Sequence, residues 1–63
     1  MTAKVGTKVV RQDGLKGEIT FIHPAGHGHR RTCTIRDEDG LRHNWISLDG
    51  HSITSDNVWS EDA

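Results

Sequence analysis

Sixty-three residues with seven glycines, one proline, one cysteine and a formal charge of −1 leave room for one small domain, which buries only about 60% of the surface its unfolded chain exposes. That composition excludes the dense positive charge of a strong phosphate binder, a disulfide within the chain and, since no run approaches roughly 20 apolar residues, a transmembrane helix. The N-terminal MTAKVG lacks the apolar centre of a signal peptide, so a cytoplasmic location and no membrane partner are expected.

Apolar residues recur at spacing two far more often than at three or four, so strands are the default reading. The first spans 7–12, where Val9 and Val10 compete for the inward face. DGLKG follows as a turn in which Gly14 and Gly17 are free to take positive φ. The second strand, 18–23, points Ile19 and Phe21 inward and leaves Ile22 outward. HPAGHGHRR, 23–31, carries three glycine or proline breakers and reads as an exposed loop. RTCTIR, 31–36, alternates again, with Cys33 and Ile35 inward and Thr32 and Thr34 outward. DEDG, 37–40, reads as a type I turn closed by Gly40 in the left-handed region. The fourth strand, 41–48, has Ile46 and Leu48 inward and Trp45 on the opposite face beside His43. LDGHSITSDN is turn-rich, with a 3₁₀ turn tucking Ile53 under the sheet. A short fifth strand over 57–60 precedes a frayed acidic tail, and residues 1–63 form a single domain.

Five short strands with one long loop after the second are the layout of an all-β, single five-stranded SH3-like barrel. VGTKVVRQDGLKGEITFI resembles the KOW-type segment of translation and transcription-elongation proteins through Gly6, Val9, Gly14, Lys16, Gly17 and Ile19. IRDEDGLRHNWISLDG is similar to the Tudor-like pattern, in which an acidic-glycine turn leads into a strand carrying a tryptophan. Glu18 departs from the KOW pattern, which usually has glycine there. The resemblance implies the fold first, and a binding role rather than a reaction.

Several groups of side chains could carry that role. His23, His27 and His29, followed by Cys33, bring together the donor types of a zinc site, though at a spacing unlike familiar structural patterns. Arg30 and Arg31 join the loop histidines in the one cluster of potential cations, and Lys8, Arg11 and Lys16 extend it along the first hairpin. Protonating all five histidines adds five charges to −1 and carries the chain to +4, so mild acid reverses its field. Trp45 and Trp59 are natural anchors for a protein partner or a stacked base, and either could instead lie across one end of a barrel as core.

Catalysis finds little support. Cys33 has no helix N-terminus beside it, and the acidic residues sit in turns rather than on opposed faces. Plasmid-type dihydrofolate reductases have a similar strand layout, but their Val-Gln-x-Tyr segment is missing here. The expectation is therefore a non-enzymatic, phage-like adaptor or inhibitor without a cofactor, docking a protein through Trp45, Trp59, His27, His29, Arg30 and Arg31. The alternative is a KOW-like nucleic-acid module using Lys8, Arg11, Lys16, Arg30 and Arg31 on phosphates, with metal binding at His23, His27 and His29 a further one. Homodimer formation through an open strand edge is a third form of association.

Overall fold

The computed structural model describes residues 4–24, 31–51, 53 and 56–62. These fold into five antiparallel strands: β1 (Lys8–Arg11), β2 (Lys16–Ile22), β3 (Thr32–Asp37), β4 (Arg42–Ser47) and β5 (Trp59–Glu61). They form one sheet in the order β4-β3-β2-β1-β5. It curls into an open half-barrel rather than the closed barrel expected. Closure would require β4 and β5 to run side by side, but the three residues of β5 are all registered on β1. Across the gap, among the described residues, a His51–Val58 bridge and the Trp59 N–H donating to the Gly50 carbonyl at 2.8 Å join the two edges.

One turn design serves three times. At Arg11, Asp37 and Ser47 the carbonyl accepts from the glycine three residues on (Gly14, Gly40 and Gly50, at 2.8 to 3.0 Å). The same three residues donate their N–H to the carbonyls of Leu15, Leu41 and His51. Each glycine has φ between +84 and +97, the pattern of a tight turn followed by a glycine bulge. An aspartate side chain braces each one: Asp13 accepts from Leu15 N–H, Asp37 from Asp39 and Leu41 N–H, and Asp49 from His51 N–H. The third turn places Gly50 against the backbone of Trp59, and Ile53 beyond it is 60% exposed rather than tucked under the sheet.

Val9, Ile19, Cys33, Ile35, Ile46 and Trp59 form the core, with Leu15, Ile22 and Leu48 packed against it. Gly17 does not take positive φ; it is a strand residue opposite Val9 and Asp37. Its hydrogen faces the Ile35 methyl and the Trp59 ring, where a Cβ would come within 2.7 Å of Ile35 Cγ2. Glycine is required there for close approach, and the indole covers it. Trp59 is therefore 1% exposed, a central core residue rather than a surface anchor, with the Arg11 guanidinium 5.8 Å from its ring.

Two bulges shift the expected alternation. Ile19 pairs with Ile35 and Phe21 with Thr34, so Thr20 has no opposite residue. Beyond it the parity flips: Ile22 turns to the core and Phe21, expected inward, is 55% exposed. In β4, Asn44 and Trp45 together face the single residue Thr34. His43 consequently lies on the core side, its ring 5.3 Å from Trp59, while Trp45 is on the outer face. The tail is held as far as Asp62, whose N–H donates to the Lys8 carbonyl at 2.9 Å. No helix among the described residues is long and apolar enough to cross a membrane.

Candidate functional site

The outer face of β2, β3 and β4 gathers side chains that a folding argument alone leaves unexplained. Phe21 and Trp45 are each 55% exposed, and His23 lies between them, with ring centroids 5.4 Å from Phe21 and 5.1 Å from Trp45. Since β2 and β4 are separated by β3, His23 can reach Trp45 only by lying across β3. The small side chains of Thr32 and Thr34 beneath it make that crossing possible.

Those threonines fix the imidazole. Nδ1 lies 2.6 Å from Thr32 Oγ1 and Nε2 lies 3.1 Å from Thr34 Oγ1. Thr34 donates its hydroxyl proton to Asn44 Oδ1 at 2.9 Å, so it accepts from His23, and the neutral ring that completes the chain carries its proton on Nε2. Thr32 and Thr34, expected to face outward, do so but are buried under this ring. Their hydroxyls are satisfied, as buried polar groups require.

Trp45 has φ +63, and no other non-glycine residue among those described has positive φ. A left-handed backbone costs about 1–2 kcal/mol for a residue with a Cβ, a cost that glycine does not incur. Its carbonyl accepts from Ile53 N–H at 3.1 Å. The strain aims the indole off the strand and onto His23.

At the other end of this face, Lys8, Glu18, Arg36 and Arg42 form one row across four strands, each opposite the next. Lys8 and Glu18 are ion-paired. Between the row and the aromatics runs a groove of about 450 Å³ lined by Thr20, Phe21, Thr34, Arg36, Arg42 and Asn44.

The expected site residues are only partly brought together. Arg11 is bound to Asp13 through two hydrogen bonds of 2.9 and 2.6 Å, which raises the guanidinium's pKa and lowers the Asp13 carboxyl to about 2. Lys16 is exposed, in a depression shared with Lys8 and Arg36 and with Glu18, Asp37, Glu38 and Asp62. Arg31 is exposed. His27, His29 and Arg30 lie outside the described residues. Of the three candidate metal ligands only His23 is described, and both its ring nitrogens are taken by threonine hydroxyls. Cys33 is fully buried, and desolvation pushes its thiol up to about 11.

His43 donates from Nε2 to Asp37 Oδ2 at 2.6 Å, on the core side. This hydrogen bond and those from Leu41 and Asp39 hold the Asp37 carboxyl below its usual range against the desolvation that raises it. The pair braces a turn and the Trp59 ring rather than facing the groove. Phe21, Arg36 and Arg42 were missed as site residues. The sequence signal for Phe21 is the adjacent pair Phe21-Ile22, which breaks a spacing of two and marks a bulge.

Compared with protein-family models, curated proteins and solved structures, the chain matches none; the site rests on its own geometry.

Proposed function

We propose that this chain is a non-enzymatic binding module of SH3-like small-barrel type, an adaptor or inhibitor that docks a protein partner in the cytoplasm through the Phe21–His23–Trp45 face. The observation that carries the reading is Trp45: a tryptophan placed where glycine is the easier choice, its indole more than half exposed and steadied by a histidine whose own hydrogen bonds are complete. Backbone strain of this kind concentrates at functional positions, and exposed, rigid aromatic rings are the side chains that most often dominate protein interfaces. A second exposed aromatic, Phe21, on the other side of His23 adds to the apolar area on offer.

A nucleic-acid module is the rival, favoured by the same rings, which could stack bases. Charge speaks against it: Lys8 and Arg11 are each paired to a carboxylate, and Lys16 shares its depression with four carboxylates as well as with Lys8 and Arg36. A pull-down from native-host lysate, with and without nuclease, separates the readings. Wild-type bait should retain a protein after nuclease treatment and at moderate salt, and Trp45→Gly bait should lose it. Retention by both baits, or a capture abolished by nuclease, refutes the proposal.

A further inference from the structure

Arg36 and Arg42 are opposite each other across β3 and β4, and both are exposed. Like charges directly opposite in a sheet are destabilising. No hydrogen bond or ion pair among the described residues engages either guanidinium, and the one carboxylate in their row, Glu18, is bound to Lys8. The two arginines also form one end of the groove whose wall is Phe21. Two guanidinium groups that no described side chain binds, beside an exposed aromatic ring, are a receptor for an anion that carries apolar neighbours, although Arg36 also borders the depression lined by Glu18, Glu38 and Asp62.

We infer that the docking segment of the protein partner is an extended acidic–apolar peptide: one carboxylate held between Arg36 and Arg42, an apolar side chain on Phe21, and a larger one on Trp45. This rests on the proposed docking role of the face and names what it recognises. A carboxylate suits the site because guanidinium groups bind it through paired, charge-assisted hydrogen bonds. The spacing follows from β3, along which Arg36, Thr34 and Thr32 mark successive outward positions. Phe21 is opposite Thr34, and His23, with Trp45 beside it, sits over Thr32. The Trp45 backbone is opposite Thr34, two strand residues from Arg36, and its indole leans onto His23 toward Thr32, so two to four strand residues at roughly 3.3 Å each put about 7–13 Å between the arginines and the indole. A peptide extended along β3 therefore presents its acidic residue to the arginines and its apolar residues two to four positions along, to Phe21 on the β2 side and Trp45 on the β4 side.

A phosphodiester strand fits less well. To reach from the arginines to Trp45 it would lay further phosphates over Thr34 and Asn44, where no cation among the described residues faces them. Its extension the other way meets Glu38 and Asp39 of the adjoining turn. A single carboxylate avoids both.

The test uses the full chain and three probes: an acetylated peptide Gly-Ser-Glu-Ser-Leu-Ser-Trp-Ser-Gly, the same peptide with glutamine for glutamate, and an eight-nucleotide oligo(dT). Fluorescence anisotropy gives affinities, and amide NMR shifts locate binding. The glutamate peptide should bind wild type about tenfold more tightly than the glutamine peptide, shifting residues 34–36, 42 and 45. In the Arg36→Gln/Arg42→Gln variant that preference should vanish while weak binding to the aromatic end remains. The variant should be no less stable than wild type, because a like-charge pair is removed. Equal affinity of the two peptides for wild type, a preference that survives the double variant, or displacement of the peptide by oligo(dT) overturns the inference while leaving an aromatic docking face standing. Binding to Trp45→Gly as tight as to wild type overturns the docking role itself.

Discussion

Replacing Gly50 with alanine would place a methyl carbon 1.9 Å from the Trp59 carbonyl oxygen, whereas the same change at Gly14 meets nothing within 4 Å. Both glycines have nearly the same φ, +97 and +94, so both substitutions carry the same backbone penalty of about 1–2 kcal/mol. Gly14→Ala should lose that and little more, lowering the melting temperature by about 4–16 °C for a domain of this size. At Gly50 the two backbones must separate by roughly 1.5 Å before the contact is an ordinary van der Waals one. The 2.8 Å hydrogen bond from Trp59 N–H to the Gly50 carbonyl then stretches, forfeiting about 1 kcal/mol. Trp59 must also shift within a close-packed core, at a further cost of about 1–3 kcal/mol. The total is about 3–6 kcal/mol, comparable with the roughly 3–9 kcal/mol of total stability expected for a domain of this length. Gly50→Ala should therefore leave a substantial unfolded fraction at 25 °C. Urea titrations followed by tryptophan fluorescence, with Trp45→Phe as background so that Trp59 alone reports, measure both variants on one scale. Equal losses at the two positions would show that the Gly50–Trp59 approach does not hold the edges of the half-barrel together.

Trp45→Gly should be more stable than Trp45→Ala by about 1 kcal/mol, the reverse of the usual order in a strand, because only glycine relieves the positive φ; thermal melts of the two variants decide it. The pKa of Asp37 is lowered on folding, so its contribution to stability is complete above the ordinary carboxylate value of about 4. That contribution is lost as pH falls through the lower folded value. Asp37→Asn should flatten part of the acid-induced fall in urea midpoint and leave the slope due to Asp13, whose folded value is about 2, in place; an unchanged acid limb would refute the Asp37 assignment. Cys33, fully buried with its thiol pushed up to about 11, should be unreactive toward Ellman's reagent at pH 8 until urea opens the sheet; rapid labelling of the native protein would contradict its burial.

All five strands were legible in the sequence within one or two residues, and so was the glycine turn at Asp37–Gly40, because alternation and turn chemistry are local. The outer face was not. Reading Phe21 as inward and His43 as a neighbour of Trp45 assumes constant parity along a strand. Where β2 and β4 each slip one residue against β3 is settled by which side chains meet across strands. Trp59, open to both an anchor and a core reading, was undecided for a related reason: a three-residue strand has too little alternation to say which face is buried, and its ring packs over Gly17, whose missing side chain makes room for it. The KOW and Tudor resemblances pointed to strands and turns, and these are what the all-β sheet contains; they carried no information about Arg36 and Arg42, whose pairing depends on register.

Each bulge amounts to a surplus bead on its strand. Excising the Thr20 codon would leave Ile19-Phe21-Ile22 in a plain in–out–in rhythm, and excising Asn44 would do the same for His43-Trp45-Ile46. Neither excision would exchange lining for facing; each would straighten the ribbon and re-aim one ring, and the loss of Asn44 would also take away the acceptor of the Thr34 hydroxyl. A lineage carrying this sheet could thus retune what its surface grips by gaining or losing a single codon, without altering any residue of the interior.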